Sequence, residues 1–116
     1  MQSIWIEIPA TDLERANRFY AAVFGHDAPP VDAQETRSIA IIEGTPSVSL
    51  NRTEGFVPSP DGALPYFAVE DLGVAVDAVV AHGGRVIEAP NERPGLGHFA
   101  LVGDSEGNAL YLFAAS

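Results

Sequence analysis

Apolar residues alternate with polar or aromatic ones at the start of the chain. Ile4, Ile6 and Ile8 point to one side of a short strand, and Trp5 and Glu7 to the other. The period then lengthens: Leu13, Ala16, Phe19, Tyr20, Val23 and Phe24 recur at helical spacing and form one inward stripe. Thr11 is expected as the N-cap of this helix, with Glu14 completing a capping box and Gly25 supplying a left-handed stop. The period of two returns at residues 36–43, centred on Ile39 to Ile42. It continues at 47–52, where Val48 and Leu50 alternate with Ser47, Ser49 and Asn51. Residues 26–32 predict a further strand, confined to an edge by Pro29 and Pro30.

The same order then repeats. Residues 53–63 hold Gly55, Pro58, Pro60 and Gly62 and read as a linker. A strand is expected over 64–69. Asp71 opens a second helix that buries Leu72, Ala75, Val76, Val79 and Val80 and stops at Gly83-Gly84. Strands follow at 85–89, 98–102 and 109–114, with a loop over 90–97 and a turn over 104–108. Both halves therefore read strand, helix, three strands. The expected fold is α+β: one domain of two tandem βαβββ modules, residues 1–52 and 64–116, forming a curved mixed sheet around a cleft. Neither module can bury its sheet alone, so the two must pair.

Composition narrows the function. The chain has 116 residues, 47% of them hydrophobic, which suffices for a core; no apolar run approaches the roughly 20 residues of a membrane span. No signal peptide is expected, since no basic segment leads into an apolar one. Cysteine is absent, which excludes disulfides and thiolate ligands and is compatible with the expected cytoplasmic location. Sixteen acidic and 6 basic residues give a net charge of −10. That field disfavours nucleic acid and anionic membranes as partners and favours neutral or cationic ligands, unless it serves solubility alone.

The residues Asp12-Leu13-Glu14-Arg15-Ala16, Phe19-Tyr20 and Phe24-Gly25 form a pattern echoed by Val69-Glu70-Asp71-Leu72 and Gly83-Gly84. With the turn Asp104-Ser105-Glu106-Gly107-Asn108 they resemble the vicinal oxygen chelate superfamily: glyoxalase I, the bleomycin-resistance proteins and the extradiol dioxygenases. Ser105 stands where that turn usually carries proline. The resemblance implies the paired-module fold, a small-molecule cleft, frequent homodimers and a divalent metal held by His, Gln or Glu. Counting from the shared motifs, the metal-ligand positions fall on Trp5, Ser49, Leu64 and Tyr111. None of these suits a zinc, nickel or iron ion, so no metal cofactor is expected. His26, His82 and His98 fall on different elements and offer no substitute spacing.

Strand parity assigns Trp5, Glu7, Ser49, Asn51, Leu64, Tyr66, Tyr111 and Phe113 to the cleft, with His98 at its border. Such aromatic walls with a few polar groups suit a small ligand, and suit equally a cleft filled by its own side chains. Glu7 is the candidate acid or base, or the counter-ion of a cationic ligand; a backbone donor or Arg52 would otherwise satisfy it. The leading expectation is a metal-free binder of a small, largely apolar or cationic aromatic molecule, similar to the antibiotic-sequestering members of the superfamily. The alternative is a glyoxalase-type lyase, isomerase or epimerase working through Glu7, paired with Tyr111 or His98, or through a metal site that this spacing hides.

Overall fold

A computed structural model describes residues 5–115. Ile4, assigned above to the first strand, lies outside that range. The elements run β1 (Trp5–Pro9), α1 (Leu13–Phe24), β2 (Asp32–Ala33), β3 (Arg37–Ile42) and β4 (Ser47–Thr53). They continue with β5 (Tyr66–Ala68), α2 (Leu72–Ala81), β6 (Arg85–Arg93), β7 (Gly97–Gly103) and β8 (Ala109–Ala114). They form two four-stranded mixed sheets, ordered β1-β4-β3-β2 and β5-β8-β7-β6, so the second module repeats the topology of the first. In each, the first strand runs parallel to the last, β1 to β4 and β5 to β8. No helix among the described residues is long and apolar enough to cross a membrane.

Each sheet has a helix-covered face and an open one, open in that no helix lies over it, although Ser49, Asn51, Phe99 and Tyr111 there are themselves buried. Ile8, Val48, Leu50 and Ala40 of the first sheet join Leu110, Leu112, Ala100 and Val102 of the second in a single apolar cluster with both helices. The modules meet inside this cluster. Phe24 of α1 packs edge-on against Phe67 of β5, their centroids 5.2 Å apart. Gly84 was expected only to stop α2. It also allows close packing within and between the modules: a Cβ there would stand 2.5 Å from the Gly103 carbonyl, 2.7 Å from Val79 and 2.8 Å from the Phe19 ring.

The turn between β7 and β8 latches the second module onto the first. Glu106 accepts the backbone N–H groups of Thr11 and Asp12 at 2.9 and 2.8 Å and pairs with Arg15 Nε at 2.7 Å. Asn108 Nδ2 donates to the Pro9 carbonyl at 2.8 Å, and the buried Tyr20 hydroxyl donates to Asp104 Oδ2 at 2.7 Å. Burial, reinforced by the Asp104 charge, pushes the Tyr20 pKa well above the usual phenol value, so the hydroxyl keeps its proton.

Several expectations need correcting. Asp12, not Thr11, caps α1: its backbone is extended and its side chain accepts from Arg15 N, while the Thr11 N–H is taken by Glu106. Of residues 26–32 only Asp32 is in strand, within the two-residue β2, because Pro29 has no N–H for a ladder and Pro30 none either. Leu64 precedes β5 rather than opening it. Val80 is exposed on α2, whose inward side is Leu72, Ala75 and Val79, with Val76 half-buried against the core. β6 runs through Pro90 to Arg93, where a loop was expected. An edge strand tolerates that proline, and the register shifts between Glu88 and Asn91.

Candidate functional site

Among the described residues the two sheets share no ladder, and a cleft of about 400 Å³ opens between β1 and the segment 62–65 that leads into β5. Ile6, Glu7 and Pro9 of β1 line one side. Leu64 and Pro65 line another, Phe56 and Val57 of the linker roof it, and Tyr20 and Ala109 close the depth. The linker is pinned over it by Ser59 N, which donates to Asn108 Oδ1 at 3.2 Å. Among the described residues lining this cleft, Glu7 carries the one charge. A second hollow of about 550 Å³ lies toward the β2–β3 edge of the first sheet, beside Ile39, Ile41 and Ile42, and no residue of the second module lines it.

Glu7 belongs to a polar row on the open face of the first sheet. It pairs across the ladder with Ser49, Pro9 pairs with Asn51, and Trp5 pairs with Ser47. Asn51 Nδ2 donates to Glu7 Oε1 at 3.2 Å, and Arg37 Nη1 stands 3.7 Å from the same oxygen. Arg37, rather than Arg52, is therefore its cationic neighbour. The pair is loose and both side chains are 40% exposed, so a ligand cation can compete for the carboxylate. Ser49 is fully buried and its Oγ has no hydrogen-bond partner among the described residues. Trp5 is 48% exposed at the end of this row.

Tyr66, Tyr111 and Phe113 gather on the open face of the second sheet, where Phe99, unassigned by the sequence, joins them. Tyr66 and Tyr111 stack at 4.4 Å, and Phe99 contacts Phe113 at 5.2 Å. Arg93, also unassigned, lies over Phe99 and Tyr111. Strand parity could have found Phe99; Arg93 was hidden by the proline that made residues 90–97 resemble a loop. His98 alternates with Phe99, pairs with Ala114, and stands 3.6 Å from Glu92, so it belongs to the opposite face. The structure thus divides the predicted residues. Glu7 and Leu64 line the cleft, Trp5, Ser49 and Asn51 flank it on one sheet, Tyr66, Tyr111 and Phe113 form a patch on the other, and His98 stands apart.

The positions at which a divalent ion would be bound do not fit one. Trp5 offers only an N–H donor, Leu64 no polar atom, and Tyr111 a phenol whose hydroxyl lies 3.5 Å from Glu88 Oε2. Ser49 offers a single neutral hydroxyl. No three His, Cys, Asp or Glu side chains gather in a metal-binding group among the described residues.

The model of one protein family, described as the glyoxalase-like domain, matches residues 4–113. The chain belongs to that family. With it comes membership of the vicinal oxygen chelate superfamily, to which the paired βαβββ sheets conform. A glyoxalase-like relative from the fungus Didymella fabae, "Glyoxylase-like domain-containing protein", is 32% identical over 89% of this chain and 85% of its own length. The Mycobacterium tuberculosis protein "Putative glyoxylase CFP32" is 28% identical over 97% of this chain, and the match spans 45% of that longer protein. Among solved structures, a glyoxalase/bleomycin resistance protein/dioxygenase family enzyme from Burkholderia phytofirmans superposes with a TM-score of 0.76. It covers 100% of both chains at 19% identity, a likeness of fold.

Proposed function

We propose that this glyoxalase-like domain binds a small, largely apolar or cationic aromatic molecule in the cleft between its modules, and does so without a metal ion. The observation that carries the reading is the lining of the cleft. One carboxylate, Glu7, stands among apolar walls in a volume of about 400 Å³, within the range of small-molecule sites. A carboxylate so placed attracts a cation and repels an anion, and the walls reward burial of a flat hydrocarbon surface. The donor set at the family's metal positions supports the metal-free half of the proposal.

Calorimetric titration with 1-methylquinolinium and with neutral quinoline tests it. The cation is expected to bind more tightly than quinoline, and Glu7→Gln to weaken it roughly tenfold, about 1.4 kcal/mol. Equal binding of the two probes, no effect of Glu7→Gln, or stoichiometric zinc, nickel or iron in the purified protein would overturn the reading.

The same accessible carboxylate favours a second reading, a glyoxalase-type lyase, isomerase or epimerase with Glu7 as the acid or base. Neither suggested helper stands with it: Tyr111 is directed to Glu88, and His98 to Glu92. Turnover of the methylglyoxal hemithioacetal by the wild-type protein, abolished in Glu7→Gln, would establish this reading in place of the first.

A further inference from the structure

The open face of the second sheet carries a cation that the cleft does not use. Arg93 Cζ lies 4.3 Å from the Phe99 ring centroid and 5.1 Å from that of Tyr111. Phe99 in turn meets the edge of Tyr66 at 6.1 Å, and Tyr66 stacks on Tyr111. A guanidinium resting on rings in this way has already given up much of its side-chain freedom. Its edge N–H groups remain able to pair with a planar anion in two parallel hydrogen bonds.

Among the described residues this cation has no counter-ion. Although the chain has 16 acidic residues to 6 basic ones, no carboxylate among the described residues comes within 4.0 Å of Arg93. Its neighbour Glu92 is directed to His98, and Glu88 reaches only the Tyr111 hydroxyl, at 3.5 Å. Glu88 therefore repels an anion from the Tyr111 end and leaves the Tyr66 side, where the ring is 53% exposed.

We propose that this face is a binding site for planar aromatic carboxylates. The carboxylate pairs with the free edge of Arg93, and the ligand ring lies along Tyr66. In a molecule of net charge −10, such a site selects by local geometry against the general field. It goes beyond the cleft proposal and uses none of the residues that line the cleft.

The test is titration of the ¹⁵N-labelled full chain with 2-naphthoate, with neutral 2-naphthamide, and with 2-naphthylmethylammonium. The carboxylate is expected to bind at least tenfold more tightly than the amide, with chemical-shift changes centred on the end of β6 around Arg93 and on the facing residues of β5, β7 and β8. Arg93→Gln is expected to weaken naphthoate at least tenfold, and Arg93→Lys to restore part of the loss. Arg93 lies outside the apolar core, so both variants should keep the wild-type spectrum elsewhere. Equal affinity for acid and amide, naphthoate binding that survives Arg93→Gln, or shift changes elsewhere would overturn the proposal. So would tighter binding of the ammonium, which would make the face a cation cage that Arg93 fills for itself. The cleft is probed by a cation and by Glu7, and this face by an anion and by Arg93, so the two readings fail separately.

Discussion

Glu106 shows how much one side chain can join. Its side chain is fully covered, yet it satisfies two backbone N–H groups at the start of α1 and pairs with Arg15. Burial acts to raise its pKa. The Arg15 hydrogen bond, the Asp12 N–H and the Ser105 hydroxyl outweigh that, and the pKa falls below the usual glutamate value. A carboxylate with a lowered folded-state pKa contributes stability that is present above the unfolded value, about 4.3. It is lost as pH falls through the folded one. Glu106→Gln is therefore expected to cost about 1.5–2 kcal/mol at pH 7, the lower half of the range for charged hydrogen bonds because Arg15 is half-exposed. The gap between variant and wild type should narrow as pH drops below about 4.3. Urea unfolding at pH 7, 5 and 3 measures it; a gap that does not change with pH would place the contribution elsewhere.

At the scale of elements, the start of α1 separates what local pattern reveals from what it hides. Thr11 and Asp12 are both good capping residues, and the pattern of residues 11–14 favours the threonine. The structure gives the role to Asp12 because Glu106, 94 residues away in sequence, occupies the space before it. Asp12→Ala is expected to destabilise the fold by about 1 kcal/mol, and Thr11→Ala, whose N–H rather than its hydroxyl is used, by less than about 0.5 kcal/mol. Thermal unfolding of the two variants side by side checks the assignment, and the reverse order would restore Thr11 as the cap. The same distinction runs through the site. Strands and helices with clean periodicity, such as β4, α1 and β8, were legible together with the faces they present. The pairing of Glu7 with Arg37, the capture of Glu106 and the return of Arg93 over Phe99 were not. Each depends on a contact between segments far apart or on a bulged strand, which no local period encodes.

For the molecule as a whole, the question is whether the two sheets behave as one body. Among the described residues they share no ladder, so backbone hydrogen bonding in the sheets alone would let them come apart. What holds them is side-chain packing: Phe19 against Gly84, Phe24 against Phe67, and one apolar cluster fed by both modules. Separating them would expose that cluster and break the Glu106 latch together, so neither module has an independent core to retreat to. The chain's single Trp, Trp5, reports on the first sheet, and ¹⁹F-labelled phenylalanine at Phe99 would report on the second. The two signals are expected to change at the same urea concentration in one transition. Gly84→Ala gives the sharper form of the prediction. It lies in the second module, and its new methyl group would press on the Gly103 carbonyl and Val79 of that module as well as on the Phe19 ring of the first, overpacking that costs about 1–3 kcal/mol. The midpoint seen by Trp5 should therefore fall along with that seen at Phe99, and by the same amount. A fall at Phe99 that left the Trp5 transition in place would show that the modules unfold separately and that the cleft between them is a hinge rather than a fixed site.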